Sequence, residues 1–323
     1  MSRMFRRLAS TTSNTSASEA AAEILQRFGD KPISVREQLL DANQARLLSL
    51  TLGRPKLHEN DRLTANGEPL KGTPLPAGYH WAYFTPRYLE KDLGIDGTDK
   101  TLNPLAPWTR RMWAGGTLEW KQISANLLRV GSMVTEITRI KSAEAKQMKL
   151  GDWMILAGLE KTFESDNGVA LIDKRQWVFQ HELTQRKQPP PKPEEKPFPE
   201  GTHTRDLIQT EVSLFRFSAL TFNAHKIHYS RDWCQNVEGH RDLVVHGPVN
   251  LLSILDFYRD VNKDGEAVPR SVAYRAMSPV YAGEKYRILL EKYAAGEEGQ
   301  RPSWKAEIVD SFGKTCVKAS IVE

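Results

Sequence analysis

The sequence predicts an α+β protein made of two related halves, and three observations support this prediction. First, β-rich runs with short turns, from "GGTLEWKQI" to "ALIDKRQWVFQHEL", follow the helical and loop residues of the first half. Second, the residues after a proline-rich segment repeat this order, with helical stretches first and β-rich runs afterwards. Third, residues 46–58 match residues 216–228.

The internal match aligns "RLLSLTLGRPKLH" with "RFSALTFNAHKIH" without a gap and contains five identities in thirteen positions. "GYHWAYF" around His80 follows the first segment at about the distance at which "VVHGPVN" around His246 follows the second. Similarity at a fixed spacing is typical of duplicated units. The match therefore suggests that one half arose from the other.

The stretch "VVHGPVNLLSILDFYRDV" predicts a helix that begins near Gly247. Pro248 suits the first turn, because the N–H that proline lacks has no partner there. Apolar residues from Val249 to Tyr258 cover most of the helix circumference, which predicts a central helix surrounded by sheet. The backbone N–H groups at its start then have no partner within the helix.

The segment "QRKQPPPKPEEKPFPEG", Gln185 to Gly201, contains six prolines and alternating charges. Such a composition favours an extended chain over a packed element, so we interpret it as a linker between domains. This interpretation predicts an N-terminal domain at 19–184, a linker at 185–204 and a C-terminal domain at 205–323.

The first 18 residues are rich in Ser and Thr, carry Arg3, Arg6 and Arg7, and contain no acidic residue before Glu19. This composition is typical of a mitochondrial presequence. We therefore expect residues 1–18 to direct the protein to the mitochondrial matrix.

Composition disfavours several classes of protein. The net charge is +5, three of these charges lie in the first 18 residues, and no basic cluster alternates with aromatic residues, so nucleic acid is not an expected partner. No apolar run reaches the length of about 18 residues that a membrane span needs. Two cysteines, Cys234 and Cys316, are too few for a disulfide framework.

Common catalytic motifs are also missing from the sequence. There is no G-x-S-x-G nucleophile motif and no G-x-G-x-x-G dinucleotide motif. His225 and His228 have no cysteine or carboxylate at a zinc-like spacing around them, so we expect no metal and no cofactor. Acid–base chemistry remains, and histidine, with a reference pKa of about 6.5, suits it.

"FSALTFNAHKIHYS" followed by "LVVHGP" resembles the motif of the MaoC-like hydratase/dehydratase family, S/T-G-D-x-N-P-L-H and then H-G. "GYHWAYFTP", "RRMWAGGTLEW" and "DKRQWVF" look like the N-terminal half of double-domain members, so the resemblance covers roughly residues 33–323. It is strongest to fungal mitochondrial hydroxyacyl-thioester dehydratases of type 2 and to bacterial mesaconyl-CoA hydratases. The resemblance implies a double hot dog fold, with two antiparallel sheets that each wrap around a central helix.

The resemblance also implies roles for individual residues. His228 matches the catalytic histidine of the family, and Gly247 matches the glycine whose N–H holds the thioester oxygen. Asn223 stands where the family has a catalytic aspartate, and an amide cannot serve as a general base near neutral pH. His225 stands in place of the family's asparagine.

Our hypothesis for the site is that His228 is the principal acid–base group and that Asn223 orients the hydroxyl group or water through its amide. His225 is either a second proton carrier or a structural residue. We expect Arg110, Arg111 and His246 to contact the substrate. The N-terminal domain lacks the motif, so we expect it to be catalytically degenerate and to supply the acyl pocket.

These expectations lead to one function and two alternatives. The first is dehydration of (3R)-3-hydroxyacyl thioesters to trans-2-enoyl thioesters in mitochondrial type II fatty acid synthesis. The second is hydration of mesaconyl-CoA or a related branched dicarboxylyl-CoA, and the third is non-catalytic binding of acyl thioesters. The partner is a thioester of coenzyme A or acyl carrier protein, and association into a homodimer is left open.

Overall fold

The computed structural model describes residues 15–121, 126–148, 151–183, 185–262, 268–293 and 302–323. The N-terminal half has helices α1 (Ala17–Phe28) and α2 (Ala42–Thr51) and strands β1 (Ser34–Leu39), β2 (Arg110–Trp120), β3 (Met133–Gln147), β4 (Trp153–Ser165) and β5 (Gly168–Gln180). The C-terminal half has helices α3 (Glu211–Thr221), α4 (Arg231–Asn236) and α5 (Gly247–Val261) and strands β6 (His203–Ile208), β7 (Ser271–Ala276), β8 (Lys285–Tyr293), β9 (Ser303–Asp310) and β10 (Thr315–Val322).

All ten of these strands form one antiparallel sheet in the order β1-β3-β4-β5-β2-β7-β10-β9-β8-β6. The order within the first five strands repeats in the last five in reverse direction, so the two halves are related as the sequence match suggests. They join where β2 pairs with β7, from Gly115 opposite Arg275 to Glu119 opposite Ser271. The α+β architecture is confirmed, but the two expected sheets are a single continuous sheet.

Helix α5 is the central helix that its sequence predicts. Its residues are buried on nearly all sides, including the polar Asn250 and Ser253. The expectation of a second central helix is wrong for the described part of the N-terminal half. The buried residues Tyr79–Ala82 form only a short 3-10 turn there, and at the adjacent Gly78 a Cβ would lie 2.7 Å from Leu252 Cδ2. Both halves therefore pack against α5.

The duplicated segments occupy equivalent positions. The matched residues run from the second half of α2 and of α3 into the loops that follow, and each helix comes after the first strand of its half. The ring of His58 bonds the carbonyl of Pro74 at 2.8 Å, and the ring of His228 bonds the carbonyl of Val244 at 2.7 Å. Each carbonyl lies 16 residues after its histidine, which supports the alignment.

Helix α1 begins before the predicted domain boundary at residue 18. Ser16 caps this helix. Its hydroxyl oxygen accepts the N–H of Glu19, and its own N–H donates to the Glu19 carboxylate. Ala17 is buried, and Trp108 Nε1 donates to the carbonyl of Thr15 at 3.0 Å. The rest of the expected presequence, residues 1–14, lies outside the described residues.

The proline-rich linker has no helix or strand before β6, which begins at His203, two residues before the predicted domain start. It lies against the C-terminal half: the N–H of Lys196 donates to Ser311, and the guanidinium of Arg287 lies 5.1 Å from the ring centre of Phe198. No helix in the described ranges has the length and hydropathy that a membrane crossing requires.

Gly116 lies at the junction between the halves, where it pairs with Arg175 on β5 and with Tyr274 on β7. A Cβ at this position would lie 2.0 Å from the backbone oxygen of Lys174, which cannot move without distorting the strand. We predict that Gly116→Ala lowers the free energy of unfolding by about 3 kcal/mol, measured by chemical denaturation.

The matched control is Gly158→Ala in β4, where the nearest atom to a new Cβ is the rotatable hydroxyl of Ser142. This variant should lose less than about 1 kcal/mol. Equal losses in the two variants would show that the β2–β5 approach is not the constraint.

Candidate active site

The turn after α3 carries three of the predicted site residues. Phe222 ends the helix in the left-handed conformation, at φ 48°, and so reverses the chain direction. Asn223 Oδ1 accepts the N–H of His225 at 3.1 Å, and one 3-10 turn then leads to His228. A bulky residue at positive φ is an uncommon conformation that is found mainly at functional sites.

His228 is held in one tautomer by its hydrogen bond. Nδ1 lies 2.7 Å from the carbonyl oxygen of Val244, which can only accept, so Nδ1 carries the proton and Nε2 has a free lone pair. Burial, together with the nearby His225, lowers the pKa of His228 to about 3. The ring is therefore neutral at working pH, and Nε2 is the only ring nitrogen that can accept a proton.

His246 packs directly on this ring. The two imidazoles stack with centroids 3.5 Å apart at an interplanar angle of 20°, and His246 Nε2 lies 2.9 Å from Ser218 Oγ. Burial and the neighbouring His228 lower the pKa of His246 well below its usual value. His246 therefore restrains the orientation of the His228 ring and adds no charge to it.

Gly247 begins α5, so its N–H has no acceptor within the helix. The following Pro248 has no N–H at all. The positive end of the helix dipole favours negative charge at this point. Gly247 faces the indole of Trp113, which would lie 3.5 Å from a Cβ there. The N–H of Gly247 can therefore donate a hydrogen bond to an oxyanion that lies beside the indole of Trp113.

His225 lies between two carboxylates that the sequence analysis did not identify. Its Nε2 is 3.8 Å from Asp96 Oδ2 and 3.9 Å from Glu238 Oε1, and its ring centre is 5.4 Å from that of His228. Burial opposes ionisation of Glu238, but the nearby His225 and the charge of Arg110 together lower its pKa to about 2. Glu238 is therefore ionised at working pH.

Asp96 lies in a loop of the N-terminal half. This loop packs on the turn after α3, residues 222–228, which carries Asn223, His225 and His228 and which we name the catalytic turn. The carbonyl of Asp96 accepts the N–H of Lys226 at 2.8 Å. A Cβ at Gly97 would lie 1.9 Å from the oxygen of Ala224, and φ is +83° there, so only glycine fits. In the sequence, only Asn223 points to these carboxylates. It stands where the resemblance implies an aspartate, so another residue has to supply the negative charge.

The structure brings all seven predicted site residues to one cavity of about 1310 Å³. These are Arg110, Arg111, Asn223, His225, His228, His246 and Gly247. Both arginines already have acidic partners, however. Arg110 Nε lies 3.1 Å from Glu238, and Arg111 lies 3.3 Å from Asp99 and 4.4 Å from the ring centre of Trp177. They thus contribute to the wall of the site as paired charges.

Comparison with known proteins agrees with this geometry. The sequence profile of the family hydroxyacyl-thioester dehydratase type 2 matches residues 78–282, which include the whole catalytic turn and the start of α5. The chain belongs to this family. It is therefore a hydro-lyase of the hydratase/dehydratase kind, as the sequence predicts.

Two characterised relatives in this group have different names. The chain is 29% identical over 258 residues to a mesaconyl-C(4)-CoA hydratase of Chloroflexus aurantiacus, covering 79% of this chain and 86% of the relative. It is 24% identical over 254 residues to the mitochondrial hydroxyacyl-thioester dehydratase type 2 of Schizosaccharomyces pombe, covering 69% and 79%. Both similarities extend over both halves of the chain.

A solved structure confirms the fold. The chain resembles a Mycobacterium tuberculosis protein described as a double hotdog fold, with a TM-score of 0.55, 14% identity, and coverage of 90% of this chain and 95% of that one. The double hot dog fold is thus the architecture that the sequence resemblance implied.

The protonation state of His228 is open to direct measurement. We predict that its ring stays neutral, with the proton on Nδ1, from pH 8 down to below pH 5, because its pKa is lowered to about 3. Nitrogen-15 NMR of histidine-labelled protein, assigned against His228→Gln, reports both the tautomer and the charge. A His228 signal that titrates near pH 6.5 would contradict this assignment.

Proposed function

We propose that the protein catalyses the reversible hydration of trans-2-enoyl thioesters to (3R)-3-hydroxyacyl thioesters. The observation that carries this proposal is the neutral His228, with its free Nε2, in the same cavity as the unpaired N–H of Gly247. Addition of water across a double bond conjugated to a thioester needs one group that moves a proton and one that holds the oxyanion.

The proposed reaction needs a single acid–base group, which takes one proton from water and later gives it to the substrate. His228 Nε2 takes a proton from water as the water oxygen bonds to C3 of the substrate. The electron pair of the double bond moves to the thioester oxygen, which the N–H of Gly247 stabilises. The imidazolium of His228 then gives its proton to C2, which restores the thioester, and dehydration is the reverse sequence.

Asn223 has an orienting role in this scheme. Its Oδ1 is engaged with the N–H of His225, which leaves the amide Nδ2–H₂ as the donor for the water or hydroxyl oxygen. The amide exchanges no proton with the substrate. Position 223 therefore places the oxygen that His228 deprotonates.

Glu238 supplies the negative charge that an aspartate at position 223 would bring. Its carboxylate favours a positive charge on His228 through space, and it stays ionised beside Arg110. His225 lies between Glu238 and the reacting groups. We therefore propose that Glu238 stabilises the transient imidazolium on His228 and offsets the nearby His225, which lowers the pKa of His228.

The acyl group and the location of the reaction have two candidate assignments. A mitochondrial dehydratase of type II fatty acid synthesis agrees with the name of the S. pombe relative and with the composition of residues 1–18. A hydratase for a branched dicarboxylyl-CoA agrees with the name of the C. aurantiacus relative, which has the higher identity. The thioester arrives on coenzyme A or on an acyl carrier protein in either case.

The test of the common reaction is the loss of the enoyl absorbance of crotonyl-CoA on adding the purified protein. We predict that His228→Gln lowers kcat about 10²–10⁴-fold, because the proton-transfer group is lost. Thermal melting of the variant should match that of the wild-type protein. An unchanged kcat in a folded His228→Gln protein would rule out the assignment.

Glu238→Gln tests the supporting charge. We predict that kcat falls at least tenfold with little change in KM, because the carboxylate acts on the transient cation and makes no contact with the ground state. The matched control is Glu211→Gln, which removes an exposed carboxylate paired with Arg231. A Glu238→Gln variant that loses only substrate affinity would assign the residue to binding.

A further inference from the structure

Five charged side chains of the N-terminal half form a cluster beside the same cavity that holds His228. They are Arg36 on β1, Glu136 on β3, Lys161 on β4, and Asp173 and Arg175 on β5. Four of them, all except Asp173, line the cavity. None of the predicted site residues belongs to this group, which we name the inner charged cluster.

The inner charged cluster contains one more cation than anions. Arg36 and Lys161 share the carboxylate of Glu136, at 2.6 and 2.8 Å. Arg175 makes its own pair with Asp173, at 2.6 and 2.8 Å. The neighbouring His80 is neutral, because burial lowers its pKa despite the nearby Asp173. Three cations and two carboxylates leave one positive charge without a counterion in the cluster.

Lys161 is the cation with spare hydrogen-bond donors. Within the described ranges its ammonium bonds only Glu136, so two of its three N–H groups are available. Its side chain is 15% exposed, and burial lowers its pKa although Glu136 opposes this shift. A further donor of the cluster, Arg36 Nε, is buried with no hydrogen-bond partner among the described residues, and Arg36 lines the cavity. Buried groups of this kind normally have partners, so the region is suited to a polar ligand group.

A short chain of aromatic contacts connects this cluster to the proposed oxyanion position. A Cβ at Gly247 would lie 3.5 Å from Trp113, and the guanidinium of Arg175 lies 5.5 Å from the ring centre of the same indole. Trp81 also contacts Trp113 and donates to Asp173 at 2.9 Å. An acyl group bound through its thioester at Gly247 can therefore extend along Trp113 towards Arg175 and Lys161.

Charge of this kind is costly beside a hydrocarbon chain. Uncompensated ions lose favourable hydration when an apolar group covers them, and the loss is several kcal/mol for an ion without partners. A carboxylate at the end of the acyl group restores the charge balance and can accept hydrogen bonds from the spare donors of Lys161. Charge-assisted bonds to a carboxylate are also the stronger kind.

We infer that the inner charged cluster binds a carboxylate at the far end of the acyl group, so that the substrates are monothioesters of unsaturated dicarboxylic acids. This inference rests on the proposed hydration reaction and selects among its substrates. It assigns the carboxylate to this cluster because Arg110 and Arg111 are already paired with Glu238 and Asp99.

The test compares matched pairs of trans-2-enoyl-CoA thioesters, from four to eight carbons, that end in a methyl group or in a carboxylate. We expect the best carboxylate-ended substrate to exceed its methyl-ended counterpart at least tenfold in kcat/KM. An equal or lower value at every length would overturn the inference and favour a fatty acyl substrate.

Lys161→Met tests the residue itself. Removing Lys161 leaves Glu136 paired with Arg36, so no buried carboxylate is stranded, and a melting curve checks that the variant folds. We expect the tenfold preference for the carboxylate to be lost. The matched control is Lys174→Met, an exposed lysine on β5 paired with Glu119, which should keep the preference. A preference that survives in Lys161→Met would remove the residue from the subsite.

Equilibrium binding separates this inference from the proposed reaction. Succinyl-CoA and butyryl-CoA have the same length, differ in the terminal carboxylate and cannot be hydrated. Tighter binding of succinyl-CoA, with no turnover of any enoyl thioester, would support the subsite and refute the hydration reaction. Turnover of enoyl thioesters with no binding preference would support the reaction and refute the subsite.

Discussion

The hydrogen bond between His228 Nδ1 and the carbonyl of Val244 is the interaction on which the chemistry of the site depends. It places the proton on Nδ1, leaves Nε2 as a base and fixes the ring beside the start of α5. The backbone strengthens this arrangement, because the N–H of Val244 donates back to Ile227 and the N–H of Val245 donates to Val280. Side-chain and backbone hydrogen bonds therefore both join the catalytic turn to the segment that precedes α5.

The joining of two halves into one sheet explains why a half without the motif is still needed. Where the C-terminal half has α5, the N-terminal half has only the short turn at Tyr79–Ala82, and α5 packs against both. The N-terminal half supplies Asp96 behind His225 and Trp113 in front of Gly247. Its loop at Gly97 also fixes the position of the catalytic turn. A single site thus has contributions from both halves.

Local sequence signals predicted the parts of the structure that local chemistry decides. Gly247 and Pro248 mark the start of α5, and the spacing from His228 to that start is contained in one short stretch. Asp96 had no such signal, because it lies far from His225 in the chain and reaches it only through packing of the two halves. The pairing of Arg110 with Glu238 was hidden for the same reason. Glu238 and Asp99 lie within 13 residues of His225 and Arg111, but no motif marks either pair. Alternation of apolar and polar residues predicts strands but not their order in a sheet. The sequence therefore did not predict that the strands of both halves form one continuous sheet.

The central claim is that His228 moves a proton between water and C2 of a thioester, and isotope incorporation tests it most directly. The protein hydrates crotonyl-CoA in D₂O, and mass spectrometry of the product counts the deuterium atoms bound to carbon. The account predicts one deuterium at C2 with the wild-type protein and none above the uncatalysed background with a folded His228→Gln variant. Equal incorporation by both proteins would show that another group transfers the proton and would contradict the account.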